Sequence, residues 1–234
     1  MDRNDGRVDR AFFPVMSLLI TVTVFAGFAA SFYLRDAAQP PLATLLVVHG
    51  VVFTAWVLLF VVQTTLIAAN RVEVHKRLGW AGAALAVALI ALGTLAAVRS
   101  LRLGRAPIPG LDPRSFFAVP FFDMVVFTLL IGAGIRFRTA PETHRRLMLL
   151  ATIGLLDAAV ARLPVAFIAS GGPPVFFALA DLFILAGWAF DLARRRRIHP
   201  AFLWGGLLLI LSQPLRLVLG GTAAWKGFAD LFMP

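Results

Sequence analysis

The sequence predicts an all-α integral membrane protein: a seven-helix bundle of one N-terminal span and three helical hairpins. Three observations predict it. Of the 234 residues 60% are hydrophobic and only 15% charged, and the mean hydropathy is +0.86, which no ordinary soluble domain of this length shows. Apolar runs of membrane-crossing length recur along the whole chain, at 11–34, 42–69, 79–98, 115–136, 147–169, 174–193 and 201–220. Each can cross a hydrocarbon core of about 30 Å at about 1.5 Å per residue. Between the runs stand turn-forming and basic segments, and no soluble domain remains, so residues 1–234 read as a single transmembrane domain.

The elements follow in order. M-D-R-N-D-G-R-V-D-R leads into the first run, which is too long for a signal-peptide core and is read as a retained span. R-D-A-A-Q-P-P breaks the chain before the second span, which holds H-G-V-V-F-T at 49–54 and places His49, Trp56 and Gln63 on one stripe at seven-residue spacing. V-H-K-R-L-G-W turns the chain into the third span, and R-A-P-I-P-G-L-D-P-R into the fourth, which contains Pro120 and Asp123. P-E-T-H-R-R-L opens the fifth span, with Thr143 as the expected N-cap and with Asp157, Arg162 and Pro164 inside. S-G-G-P-P precedes the sixth span, with Asp181 and Trp188. R-R-R-R-I-H-P precedes the seventh, with Pro214 and Arg216. The tail T-A-A-W-K-G-F-A-D-L-F-M-P has an amphipathic pattern that suits the membrane interface.

The net charge of +10 does not indicate nucleic acid, because the basic residues lie in short connections rather than on one soluble face. It reads instead as a topology signal and as attraction to anionic lipid headgroups. With the N-terminus cytoplasmic, the inner segments hold 14 Lys and Arg and the outer ones 6, which predicts an N-in, C-out orientation despite four arginines in the third, outer loop. The chain has no cysteine, so disulfides and thiolate chemistry are excluded. Dinucleotide, P-loop and H-E-x-x-H motifs are absent, which removes support for nucleotide chemistry and zincin proteolysis. The expected role is non-enzymatic ligand binding or assembly, with a membrane oxidoreductase or metalloprotein as the alternative.

An internal repeat underlies the hairpin reading. H-G-V-V-F-T at 49–54 matches D-M-V-V-F-T at 123–128, and Trp56 and Trp188 stand at the same offset from His49 and Asp181. A basic segment with a histidine, His75, His144 or His199, follows each time, and Trp80 and Trp204 follow two of them at one offset. Three tandem hairpins account for these offsets.

Ionisable residues inside spans are rare and mark sites or buried pairs. Here they are His49, Asp123, Asp157, Arg162, Asp181 and Arg216. In the N-in arrangement His49, Asp123 and Asp181 each lie about 11 Å below the outer surface. Arg162 and Arg216 fall near the outer ends of their spans, Asp157 is deeper, and Pro120, Pro164 and Pro214 can open a cavity at that level. Four readings stay open for this layer. It could be a metal site of His49, Asp123 and Asp181, for a divalent cation such as zinc, iron or manganese. It could hold a small polar or quinone-type ligand clamped by the arginines. It could relay protons as in a proton-coupled transporter, or be a static Asp–Arg network that locks the bundle. His75, His144 and His199 stand at helix starts on the basic side. Interfacial anchoring, ligation of a cofactor such as haem by His75 and His144, and a titratable switch are the alternatives there.

The segment T-H-R-R-L-M-L-L-A-T-I-G-L-L-D-A-A-V-A-R-L-P, with V-H-K-R-L-G ahead of it, resembles a family of bacterial multi-pass membrane proteins of unknown function. That family carries H-R-[RK]-x-M at the start of a span and often a preceding H-x-x-L-G. The resemblance covers residues 45–165 and implies a bacterial inner-membrane protein with His49, His75, His144 and Arg162 at family positions. One related branch is implicated in maturation of haem–copper terminal oxidases, which implies a respiratory complex as a partner. Asp123 and Asp181 lie outside the family pattern.

Overall fold

The computed structural model describes residues 3–106 and 110–233, all of it helix and connecting turns with no strand among the described residues. The Pro107–Pro109 part of the third break lies outside the described residues. Among the described residues nine helices follow one another: α1 (Arg3–Phe28), which runs on into a π-helical turn (Ala29–Tyr33), α2 (Thr44–Ala68), α3 (Val72–Arg102), α4 (Pro113–Arg136), α5 (Pro141–Ile153), α6 (Asp157–Val160), α7 (Ala166–Arg195), α8 (Pro200–Gly220) and α9 (Ala223–Asp230). Six helices among the described residues are long and apolar enough to cross a membrane: Ala11–Tyr33, Thr44–Ala68, Val72–Arg102, Pro113–Arg136, Ser170–Arg195 and Pro200–Gly220. Their outward faces are apolar, with Leu18, Val22, Val87, Leu129, Leu211 and Val218 all exposed, as a lipid-facing surface requires.

Three boundaries differ from the sequence expectation. The third helix starts seven residues early, so Val-His-Lys-Arg forms its first turns. Glu73, Lys76 and Arg77 are good helix formers whose charges reach water at the helix end, and a Glu73–Lys76 pair at 3.0 Å supports that turn. The fifth span, expected at 147–169, is not continuous: α5 stops at Ile153, the four-residue α6 follows, and 161–165 is non-helical before α7. The turn chemistry of S-G-G-P-P shows as a kink inside α7 at Gly172 (φ 62°, ψ −156°), just ahead of Pro173 and Pro174, rather than as a loop.

Capping differs too. Pro141 opens α5 two residues before Thr143, so Thr143 is not the cap; Ala140 takes that place without a side-chain bond. His199 caps α8 instead, its Nδ1 accepting from the Ala201 N–H at 3.1 Å.

α4 is the central helix, packed against α3, α5, α8 and α9, while α1 packs on α2, α5 and α6. The sequential pairs α2–α3, α4–α5 and α7–α8 are all in contact. The core runs through Trp56, Phe127, Leu130, Leu150, Leu156, Phe177 and Phe202. Gly27 lets α1 meet the broken segment: a Cβ there would stand 2.1 Å from the Ala159 carbonyl oxygen. Trp80 and Trp204 are 81% and 68% exposed at the start of α3 and α8, on the basic end of the bundle, as interfacial tryptophans are. The tail does not turn its apolar face outward. Trp225 and Ala229 of α9 are buried against Phe117 and Ala118 of α4, and Trp225 Nε1 donates to the Arg114 carbonyl at 2.8 Å.

Candidate functional site

The break in the fifth span brings a carboxylate to the α7–α8 interface. Asp157 opens α6 just after the chain leaves α5, and its side chain is buried. Asp123 comes from the middle of α4, Asp181 from α7, and Arg216 with Gln213 from the end of α8 opposite the basic end, on either side of Pro214. Arg216 is only 2% exposed. Its Nη1 pairs directly with Asp123 Oδ1 and lies 4.0 Å from Asp157 Oδ2. Nη2 donates to Ser212 Oγ at 2.8 Å, and the guanidinium rests 5.4 Å from the Phe177 ring centroid. Asp181 Oδ1 accepts from Gln213 Nε2 at 2.8 Å. Two carboxylates from two helices thus face one guanidinium, and a third, Asp181 of α7, is held through Gln213 on the same stretch of α8. Asp123 takes the direct ion pair, Asp181 has an amide, and the Asp157 carboxylate has no hydrogen bond among the described residues.

His49 and Arg162 are placed apart from that group. The His49 ring lies 6.2 Å from Phe53, Phe53 lies 6.3 Å from Phe28, and the Arg162 guanidinium sits over Phe28 at 4.8 Å. Among the described residues no three His, Asp or Glu side chains are gathered to hold a metal ion, so His49, Asp123 and Asp181 do not form the three-ligand set expected from their shared depth. Depth along a helix does not determine which neighbour a side chain faces.

His75 and His144 do meet, their rings edge-on at 6.2 Å. His144 Nδ1 stands 2.8 Å from the Gly134 carbonyl, which can only accept, so that nitrogen carries the proton. With the Gln63 amide nitrogen turned toward His75, it donates to His75 Nδ1 at 2.7 Å while the amide oxygen accepts from the Gly79 N–H at 3.1 Å. These contacts tie the α2–α3 and α4–α5 turns together at the basic end.

A second buried charge network was missed by sequence reasoning. Arg146 and Asp191 are both 0% exposed and form a two-pronged pair, with Arg146 Nε donating to Asp191 Oδ2 at 3.0 Å and Nη2 bound to Oδ1. Arg146 Nη1 also donates to Glu142 Oε2 at 2.8 Å, an oxygen shared with Arg145 and Arg195, and the His199 N–H donates to Asp191 at 3.0 Å. The Glu142 carboxyl is partly buried, which pushes it up, but Arg146 and its neighbouring arginines overcome this and hold it below the ordinary glutamate range. The available signal was Asp191, the one carboxylate just ahead of the four-arginine run.

Searched against protein-family models, curated proteins and solved structures, the chain matches none.

Proposed function

We propose that this chain is a seven-span membrane protein, N-in and C-out in a bacterial inner membrane, that binds a small cation, a proton or a cationic solute, at the Asp123–Asp157–Asp181 cluster in its outer half. The observation that carries the reading is the charge balance around Arg216. One guanidinium serves a neighbourhood of three carboxylates: Asp123 takes the direct pair, Asp157 is left 4.0 Å away without a hydrogen bond, and Asp181 has only the neutral Gln213 amide. Buried carboxylates without partners are costly in a low-dielectric interior, and an added positive charge removes that cost. Broken helices that place polar groups at membrane depth are a recurring way to build such sites, and the α5–α6 break delivers Asp157 in this manner. The reading includes three tandem hairpins, α2–α3, α4–α5 and α7–α8, whose paired helices are in contact as such hairpins require.

Thermal unfolding of the detergent-purified protein tests the reading, across a pH series and with sodium, potassium and tetramethylammonium chlorides. Wild-type protein is expected to gain stability with acid or with one of these cations. Asp157→Asn is expected to weaken that response at least tenfold in midpoint concentration, about 1.4 kcal/mol. A wild-type melting temperature indifferent to all of them, or a folded Asp157→Asn variant with the wild-type response, overturns the proposal.

A further inference from the structure

We infer that the cation of the carboxylate cluster is a proton held on Asp157, and that Arg216 is the counter-ion that takes its place when it leaves. The inference rests on the cation-binding reading and narrows it to one cation and one carrier. Asp157 is 6% exposed, and its carboxylate accepts no hydrogen bond among the described residues. The charged groups that share this part of the interior come from three helices. Asp123 of α4 pairs with Arg216 of α8 through Nη1, the same nitrogen that stands 4.0 Å from Asp157 Oδ2. Asp181 of α7 is bound by Gln213 Nε2 at 2.8 Å. Helix α1, which also packs on α6, carries no ionisable side chain from Ala11 to Phe28.

One N–H group therefore stands before two carboxylates and is committed to one of them. A charged Asp157 has lost its hydration and gains no hydrogen bond in return, beside a second negative charge. Two carboxylates that share a site do not both stay charged unless another cation joins them. The geometry selects which cation. A hard metal ion such as calcium takes about six oxygen ligands. Here Asp123 Oδ1 and Asp181 Oδ1 are already taken by side-chain N–H groups, and among the described residues no three His, Asp or Glu side chains are gathered to hold a metal. A proton needs one oxygen, and Asp157 has it. On release the Asp157 O–H bond breaks, the proton passes to water, and the carboxylate left behind draws Nη1 across to lie between Asp157 and Asp123. Ser212 Oγ, which accepts from Nη2 at 2.8 Å, and the Phe177 ring, 5.4 Å from the guanidinium, hold the rest of the fork.

Infrared difference spectroscopy of the full chain in a neutral maltoside detergent tests this, because a protonated carboxyl has a carbonyl stretch apart from that of carboxylates and shifts in heavy water. At neutral pH the wild-type protein is expected to show such a band and to lose it reversibly as the pH is raised. Asp157→Asn is expected to remove it. Asp123→Asn is expected to lose most of it, because the freed guanidinium pairs with Asp157 instead, and Asp181→Asn to retain it. No band in wild type, or the wild-type band in a folded Asp157→Asn variant, overturns the inference. Should that variant fail to fold, an undiminished band in Asp123→Asn does the same. The salt titrations keep the two readings apart. A melting temperature that responds to sodium, potassium or tetramethylammonium through Asp157, in a protein without the band, overturns this inference and leaves the cation-binding reading standing. A band that Asp157→Asn removes, in a protein whose melting temperature is indifferent to acid and to all three salts, overturns that reading and leaves the proton on Asp157.

Discussion

Arg146 and Asp191 show how a single pair can matter more than the many arginines around it. Both are sealed from solvent, and each of the two bonds between them is charge-assisted. Removing one partner leaves the other buried and uncompensated, so Asp191→Leu should lower stability by about 3–5 kcal/mol. Adding Arg146→Met should restore much of that loss, since two apolar side chains of similar size leave no charge behind. Chemical unfolding of the single and double variants in detergent checks it, and a double variant as unstable as Asp191→Leu contradicts it. The same pair marks a limit on what residue types convey. A carboxylate or guanidinium deep in an apolar run, such as Asp123 or Arg216, stands out against its neighbours. Arg146 sits in H-R-R and counts as one more basic residue of a connection, because nothing in the local pattern says that α5 turns it inward.

At the scale of elements, helix existence follows from apolar length, and helix interruption does not. The segment G-L-L-D-A-A-V-A-R-L has no proline and is apolar but for Asp157 and Arg162, yet the chain leaves helical geometry after Ile153. The tertiary partners Gly27 on α1 and Leu209 on α8, which press on Ala159 and Gly154, are invisible in a local window. The α9 tail is the converse case. Its amphipathic pattern is plain, but lipid and the aromatic face of α4 compete for the same apolar side, and Phe117, Phe121 and Phe122 meet Trp225 at 5.5–5.8 Å. Asp112 holds this dock electrostatically, capping α4 through the Arg114 N–H at 2.9 Å and binding Lys226 of α9 at 3.1 Å. Slight burial pushes its carboxyl up, but the Arg114 N–H and the Lys226 ammonium outweigh that and hold it below the ordinary aspartate range. A depressed carboxylate contributes stability that is complete above its unfolded value, about 3.9, and is lost as pH falls through the lower folded value. Asp112→Asn should therefore cost about 0.5–1 kcal/mol at neutral pH, after allowing for solvent screening. The difference in melting temperature between wild type and variant should shrink below about pH 4. A difference that is constant across that range would show that Lys226 and Arg114 do not act on the charge.

For the whole molecule, the broken fifth segment decides the parity of the bundle. Six continuous apolar helices alone return the chain to the side where it began. If α5, α6 and the 161–165 stretch together complete a seventh crossing, the two ends lie on opposite sides. The positive-inside count favours the seventh crossing, because it gathers Arg71, Arg77, Arg136, Arg138 and the Arg194–Arg197 run on one face with the N-terminus. In that arrangement the carboxylate cluster lies toward the other face and the Arg146–Asp191 network toward the basic one, so that charge ties α5 to α7 at one depth and α4 to α8 at another, with an apolar core between. Because the chain has no cysteine, single cysteines can be introduced without a background. In intact cells, a membrane-impermeant maleimide should label Ala37→Cys, Arg105→Cys and Met233→Cys, and should reach Arg71→Cys and Thr139→Cys only after the membrane is opened. Labelling of positions 37 and 105 with protection of 233 would mean that the fifth segment enters and leaves on one side, and the Asp157 carboxylate would then sit at the tip of a re-entrant loop rather than within a crossing.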